Sequence, residues 1–174
     1  MTRLVVDVPV LYTDRLILRE PREADFEPSA AFFGSDRSTY VGGPADRFQV
    51  WRGFLGSIGH WVLRGYGLWV VEERDTGHVA GRVGFVFHDG WDEPELGWTL
   101  FDGFEGRGIA FEATKIARTM GRIKFELDGV ISYIDPENTR SLALARRLGA
   151  VHERDGSLLN TPCQIWRHPK SEAA

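Results

Sequence analysis

Hydrophobic and polar positions along the chain follow two spacings, alternation and helical recurrence, and together these predict seven strands and four helices. The predicted strands cover residues 15–19, 68–73, 79–88, 95–100 and 130–134, with two shorter ones near 151–153 and 164–166. Asp75-Thr76-Gly77 is a compact turn signal, so the second and third strands should form a hairpin. The resulting order, β-α-α-β-β-β-α-β-α-β-β, indicates a mixed α+β protein.

The four helices are predicted from apolar stripes and from their end signals. The first follows Pro21, with acidic residues in its first turn, and the second spans about residues 46–63. The fourth begins at Asn138 or Thr139 and runs through Leu148, with Gly149 placed to end it. The expected buried stripes are Phe48, Trp51, Leu55, Ile58 and Val62 in the second helix, and Ile109, Ala113, Ile116, Ala117, Met120 and Ile123 in the third.

Composition and charge narrow the class of protein. The 174 residues, with a formal net charge of −4, fit one globular domain over residues 1–174 and argue against a non-specific nucleic-acid binder. The apolar run at residues 4–11 is interrupted by Asp7 and Pro9, so it is too short for a signal sequence or a membrane span. Cys163 is the only cysteine, and a buried, inert thiol is the favoured interpretation. We expect a soluble, cytoplasmic protein without a metal site or a membrane partner.

The segment Glu105-Gly106-Arg107-Gly108-Ile109-Ala110 precedes the third helix. Glycines at a helix start leave backbone N–H groups open to a phosphate, although an ordinary glycine-rich loop has the same composition. A dinucleotide fold would require a third glycine or alanine where Phe111 stands, and the chain contains no Gly-Lys-Ser/Thr sequence for a nucleotide P-loop.

Four motifs follow one another along the chain. They are the strand from Thr13 to Arg19, Glu95-Leu96-Gly97-Trp98, the glycine segment with Glu112-Ala113, and the set Asn138, Ser141, Leu148 and Gly149. With these motifs the chain resembles the GCN5-related N-acetyltransferase (GNAT) superfamily. The resemblance covers about residues 11–168 and is closest to the ribosomal-protein N-terminal acetyltransferases of the RimJ/RimL type. It implies an α/β/α sandwich around a mixed, mostly antiparallel sheet.

The resemblance implies an enzyme that transfers an acetyl group from acetyl-CoA directly to a primary amine. The family also favours glutamine or arginine at the first position of the loop, to which we assign Glu105; a carboxylate near the phosphates would weaken binding. The residues implied in cofactor binding are Trp98, Thr99 and Leu100 on the strand, Glu105, Gly106, Arg107, Gly108, Ile109 and Ala110 in the loop, and Asn138 and Ser141 on the fourth helix.

The catalytic residues implied are Glu95 as general base and Ser141 as the group that protonates the thiolate. His88 is the second choice of base, with a solvent-exposed histidine as the favoured alternative. A backbone N–H of Trp98 or Thr99 would stabilise the oxyanion. Many superfamily members carry a tyrosine where this chain has Ala145. Ser141 and Asn138 are each also interpretable as helix-capping residues.

The amine acceptor is left open between a protein N-terminus, an aminoglycoside-like antibiotic and a small metabolic amine. The resemblance places it between residues 34–46 and 154–161, and Trp61, Tyr66 and Trp91 are either groove or core residues. The oligomeric state is also open, with a homodimer among the alternatives. A non-catalytic acyl-CoA-binding or regulatory module with the same fold remains the competing hypothesis.

Overall fold

The computed structural model describes residues 6–171, which form eight strands and four α-helices around one sheet. Two 3-10 helices, Glu23–Asp25 and Asp36–Val41, flank the first α-helix. The helices are α1 (Phe26–Phe33), α2 (Arg47–Arg64), α3 (Ile109–Phe125) and α4 (Thr139–Arg147). The strands are β1 (Leu11–Tyr12), β2 (Leu16–Arg19), β3 (Leu68–Glu73), β4 (Val79–Val86), β5 (Glu95–Leu100), β6 (Ile131–Ile134), β7 (Val151–Leu158) and β8 (Thr161–Arg167).

The sheet has the order β1-β2-β3-β4-β5-β6-β8-β7. Only β5 and β6 run parallel; every other neighbouring pair is antiparallel. The predicted fold class and the hairpin of β3 and β4 are therefore confirmed. The eighth strand is the two-residue β1, which is too short to give an alternating pattern in the sequence.

Each face of the sheet carries its own apolar cluster, because side chains alternate between the faces along every strand. On one face α3 packs its Ile109, Ala113 and Ala117 against strand residues such as Phe85 and Leu96. On the other face α1 and α2 enclose a phenylalanine-rich cluster. Within residues 6–171, no helix is both long enough and apolar enough to cross a membrane.

The predicted stripe of α2 is correct at Trp51 and Ile58, which pack against the phenylalanine-rich cluster, and wrong at two of its other members. Phe48 and Leu55 are 68% and 47% exposed, whereas the residues that α2 buries include Val50, Phe54 and Trp61. Both faces of α2 carry large apolar side chains at helical spacing, so periodicity alone does not choose between them. In α3 the stripe is correct except at Ile123, which is 69% exposed near the end of the helix.

The last two strands are longer than predicted, and they include most of the segment expected to be a loop. β7 and β8 pair from Val151 opposite Arg167 to Leu158 opposite Thr161. Leu159 and Asn160 form the turn with φ values of 49° and 66°, the left-handed pair of a tight hairpin. β7 is almost wholly exposed, so its sequence lacks the alternation that marks a half-buried strand.

Candidate functional site

The sheet opens between β5 and β6. The two strands pair in parallel only at Glu95 and Ile131. One residue further along, the Ser132 hydroxyl donates a 2.5 Å hydrogen bond to the Leu96 carbonyl, in place of a backbone ladder. Beyond this point, within residues 6–171, the β6-facing edge of β5 has no strand partner. Unpaired backbone groups along Gly97–Leu100 can therefore accept and donate hydrogen bonds to a ligand.

A cleft of about 880 Å³ extends from this opening. Three elements form most of its wall: the end of β5, the glycine loop with the first turn of α3, and the first turn of α4. All the cofactor residues implied by the resemblance line this cleft except Arg107. The residues brought together are Trp98, Thr99, Leu100, Glu105, Gly106, Gly108, Ile109, Ala110, Asn138 and Ser141.

The glycine loop has the backbone of an anion site. Gly106 and Gly108 have φ values of 72° and 78°, which other residues adopt only at a cost. Gly108 is also the N-cap of α3, and it provides no side-chain cap. Within the described chain, no backbone N–H from Glu105 to Gly108 has a hydrogen-bond acceptor. These N–H groups and the positive end of the α3 dipole favour a phosphate over an ordinary loop.

The side chain of Arg107 is directed away from the cleft. Its guanidinium pairs with Glu73 on β3 and lies 5.6 Å from the centre of the Phe104 ring. Its carbonyl accepts a 3.1 Å hydrogen bond from Arg15, which also pairs with Glu112 of α3. These contacts fix the loop against the sheet and the helix, and they do not support the role in cofactor binding that the resemblance implied for the Arg107 side chain.

Glu105 requires a correction to its place in the loop pattern. The family pattern is Gln/Arg-x-x-Gly-x-Gly/Ala, so its first position lies three residues before Gly106, at Gly103, and Glu105 lies inside the loop. Its carboxylate accepts a 3.0 Å hydrogen bond from the Gly103 N–H. It also pairs with Arg37 of the 3-10 helix Asp36–Val41, and lies 3.8 Å from Arg140 of α4.

Arg37 and Arg140 line the cleft, and we did not identify either from the sequence. One signal was available for Arg140. It occupies the first turn of α4, where the helix dipole disfavours a cation. A cation at that position suggests a nearby anion. Arg37 carries no such signal, because only the tertiary fold brings it to the loop.

Asn138 and Ser141 have distinct contacts. The Asn138 side chain accepts a 3.1 Å hydrogen bond from the Ser141 N–H, so Asn138 is the cap of α4. The Ser141 hydroxyl instead accepts a 3.2 Å hydrogen bond from the indole N–H of Trp98. Within the described residues the hydroxyl proton of Ser141 has no acceptor, and it faces the cleft.

Glu95 lies on the opposite face of β5 from Trp98, because the two residues are three positions apart along the strand. It is not part of the cleft wall. One carboxylate oxygen accepts a 3.2 Å hydrogen bond from the Tyr133 N–H on β6. Burial raises the pKa of Glu95 to about 8, since removing the charged form from water disfavours ionisation more than this one hydrogen bond favours it. The opening between β5 and β6 thus has a titratable carboxyl on one face and a serine on the other.

The remaining candidates separate into core and surface. Trp61 is 2% exposed and donates to the Leu68 carbonyl, and Tyr66 packs against the main core. His88 is exposed at the end of β4, with its ring 4.9 Å from that of Trp91. Trp91 in turn contacts the ring of Tyr133 at 5.5 Å, and the backbone N–H of Tyr133 bonds to Glu95.

Cys163 is buried on β8, and burial raises the pKa of its thiol. Of the two segments expected around the acceptor, the 3-10 helix Asp36–Val41 lines the cleft, whereas residues 154–161 contribute nothing to its wall. No group of three or more His, Cys, Asp or Glu side chains in the described chain is arranged to hold a metal ion.

The sequence and the fold both match known acetyltransferases. The profile described as "Acetyltransferase (GNAT) domain" matches residues 15–151. A crystal structure of an acetyltransferase from Agrobacterium tumefaciens str. C58 is 33% identical, with a TM-score of 0.88 over 98% of this chain and 99% of that one. The uncharacterized protein YkkB of Bacillus subtilis (strain 168) is 28% identical over 168 residues, covering 90% of this chain and 93% of YkkB.

The fold is also shared at lower identity with RimL, the ribosomal L7/L12 alpha-N-protein acetyltransferase. Its structure in complex with coenzyme A is 16% identical, with a TM-score of 0.76 over 92% of this chain and 97% of that one. The profile match covers most of the chain, and it includes the end of β5, the glycine loop and the start of α4, which form the cleft. The chain belongs to the GNAT family of acetyltransferases.

Proposed function

We propose that this protein is an N-acetyltransferase that moves an acetyl group from acetyl-CoA to a primary amine, and that a single domain carries the activity. The observation that carries the proposal is Glu95, a carboxyl with a raised pKa at the point where β5 and β6 part. Acetyl-CoA, the donor used by this family, supplies a thioester whose acetyl group an amine can take.

The cleft fits the donor in three respects. Free N–H groups between Glu105 and Gly108 suit a pyrophosphate at the start of α3. The unpaired edge of β5 suits the two amides of a pantetheine arm, as an added strand would. The volume of about 880 Å³ lies within the range of cofactor sites. Asn138, whose side-chain NH₂ has no acceptor within residues 6–171, is placed to donate to the same arm.

In this proposal the chain's residues act from both faces of the opening. On one face Glu95, as carboxylate, accepts the proton that the attacking amine loses as the amide C–N bond forms and the C–S bond breaks. On the other face the Ser141 hydroxyl, oriented by the Trp98 indole, donates a proton to the departing sulfur and regains one from solvent, to which Glu95 in turn releases the proton that it accepted. A backbone N–H of the unpaired β5 edge stabilises the charge that develops on the carbonyl oxygen.

The acceptor side favours a cationic amine. Asp36 lines the cleft beside Tyr40, and Glu137 lies at the α4 end of the wall. Tyr133, whose backbone N–H bonds to Glu95, pairs its ring with that of Trp91, and aromatic faces attract cations. The shared fold with RimL, which acetylates a protein α-amine according to its name, supports an amine acceptor without fixing which one.

The substitution Glu95→Gln tests the base. Because the pKa of Glu95 is raised to about 8, its basic form accumulates above that pH. The logarithm of kcat/KM should therefore rise with a slope of one per pH unit below pH 8 and level off above it. Glu95→Gln should lower kcat by roughly 10²- to 10⁴-fold and abolish this inflection. Steady-state kinetics between pH 6 and 10 on a panel of amines and peptides provides the measurement.

Calorimetric titration with acetyl-CoA is the companion measurement, since Glu95→Gln should leave donor affinity unchanged. An unchanged kcat in Glu95→Gln would show that the base is elsewhere. Donor binding without turnover on any amine or peptide would favour the non-catalytic acyl-CoA module.

A further inference from the structure

Two guanidinium groups meet at the mouth of the cleft, one from each side. Arg37 comes from the 3-10 helix between α1 and α2, and Arg140 from the first turn of α4. Burial and the neighbouring charge of Arg140 lower the pKa of Arg37. Two like charges that line one cleft, one of them at the positive end of a helix, favour an anion nearby.

Glu105 supplies that anion. Its carboxylate pairs with Arg37, lies 3.8 Å from Arg140 and accepts the Gly103 N–H at 3.0 Å. The arrangement of two guanidiniums and a backbone N–H around one anion is the set of donors that proteins use to hold phosphate. Glu105 also directly precedes Gly106, so it belongs to the loop whose backbone N–H groups are free within the described residues.

Arg37 does not depend on Glu105 for a partner. Asp102, just before the loop, pairs with the other terminal nitrogen of the same guanidinium. Asp102 is 73% exposed and is not part of the cleft wall, whereas Glu105 is 30% exposed and lines it. The carboxylate of Glu105 therefore adds little to fixing Arg37. It differs from that of Asp102 in its position inside the cleft.

We propose that Glu105 competes with acetyl-CoA inside the protein. Its carboxylate and the phosphates of acetyl-CoA bind the same two guanidinium groups, those of Arg37 and Arg140. This inference rests on the proposed function only for the identity of the donor. Donor binding then transfers the two guanidiniums from Glu105 to a phosphate group. Because Arg37 belongs to the segment that also carries Asp36 and Tyr40, the exchange connects the donor site to the acceptor side of the cleft.

Opposite effects of two substitutions test the exchange. Glu105→Gln removes the competing charge but keeps an oxygen for the Gly103 N–H, and it should lower the Kd for coenzyme A roughly three- to tenfold. Arg37→Gln should raise that Kd. In the Arg37→Gln background, Glu105→Gln should lower the Kd by a smaller factor than it does in wild type. Isothermal titration of the full chain at fixed ionic strength measures the Kd of the two single variants and of the double variant. Glu105→Ala serves as a second substitution at that position, and circular dichroism verifies that each variant is folded.

Two controls separate competition from a general change in charge. Glu137→Gln removes the same charge from the wall of the same cleft, and Glu137 pairs with no arginine within residues 6–171. Its effect on the Kd should be less than about twofold. Inorganic pyrophosphate should show the gain from Glu105→Gln, whereas pantetheine, which carries no phosphate, should bind wild type and variant equally.

Three results would overturn the proposal. If Glu105→Gln and Arg37→Gln both weaken coenzyme A binding, Glu105 stabilises the loop and does not compete with coenzyme A. If Glu105→Gln and Glu137→Gln change the Kd equally, the change reflects only the net charge of the cleft. If wild type and Glu105→Gln bind coenzyme A equally, there is no exchange, although the donor site stands. Failure of every variant and of wild type to bind coenzyme A would instead overturn the donor site assigned under the proposed function.

Discussion

Asn138 and Ser141 lie within one helical turn of each other at the start of α4, and their contacts give them different tasks. Asn138 satisfies a backbone N–H at the helix end, whereas the Ser141 hydroxyl contacts only the Trp98 indole and the cleft. A capping side chain contributes to the stability of the helix, but a hydroxyl that accepts one partly buried hydrogen bond contributes little. The two residues should therefore separate stability from catalysis.

We expect Asn138→Ala to lower the free energy of unfolding by about 1 kcal/mol, the usual loss for a cap. Ser141→Ala should change it by less than about half of that and should lower kcat instead. Urea unfolding curves and steady-state kinetics on both variants provide the measurement. Equal losses of stability in the two variants would show that Ser141 also supports the helix end.

At the scale of elements, the opening between β5 and β6 is maintained by a buried polar group. The Ser132 hydroxyl donates to the Leu96 carbonyl and lies 3.0 Å from Nε2 of His168, so the imidazole donates its Nε2–H to the serine oxygen. Nδ1 of His168 faces Arg118 at 3.4 Å and is therefore the unprotonated nitrogen. This chain of hydrogen bonds occupies the place of the next ladder bond.

Ser132→Ala would leave the Leu96 carbonyl and the His168 N–H buried without partners. We expect a loss of roughly 1–3 kcal/mol in the free energy of unfolding and weaker binding of acetyl-CoA, because the unpaired edge of β5 is no longer fixed. Ser29→Ala is the matched control, since its buried hydroxyl bonds only to the Asp25 carbonyl near its own helix. If both variants bind acetyl-CoA like wild type, the serine has no role in positioning β5.

Elements with a local signal were predictable from the sequence, and contacts between distant elements were not. β5 has the predicted bounds, residues 95–100, because its motif is local, and Asn138 caps α4 as expected. The phase of α2 depends on which face meets α1, and β7 is defined by pairing with β8 rather than by burial. Likewise, the contact of Arg37 with Glu105 joins residues far apart in the chain, so no spacing rule indicates it.

For the whole molecule, two buried groups make stability depend on pH in opposite directions. The pKa of Glu95 is raised to about 8, so between about pH 4.5 and 8 the folded state binds more protons than the unfolded state. Its free energy of unfolding then falls as the pH rises. Burial, with the charges of Arg118 and Arg167, lowers the pKa of His168 to about 4. Between about pH 4 and 6.5 the unfolded state therefore binds the extra proton, and stability rises with pH.

The two effects nearly cancel between about pH 4.5 and 6.5, and above this range only Glu95 acts. We expect the free energy of unfolding in urea to fall by at most about 1.4 kcal/mol per pH unit from pH 6.5 to 8 and then to level off. Glu95→Gln should remove this fall and exceed wild type in stability at pH 9. A decline that persists unchanged in Glu95→Gln would assign it to another group. The ionised form of Glu95, which acts as the base, is thus also the form that destabilises the fold. The proposed activity should therefore be greatest in the pH range where Glu95 contributes least to the free energy of unfolding.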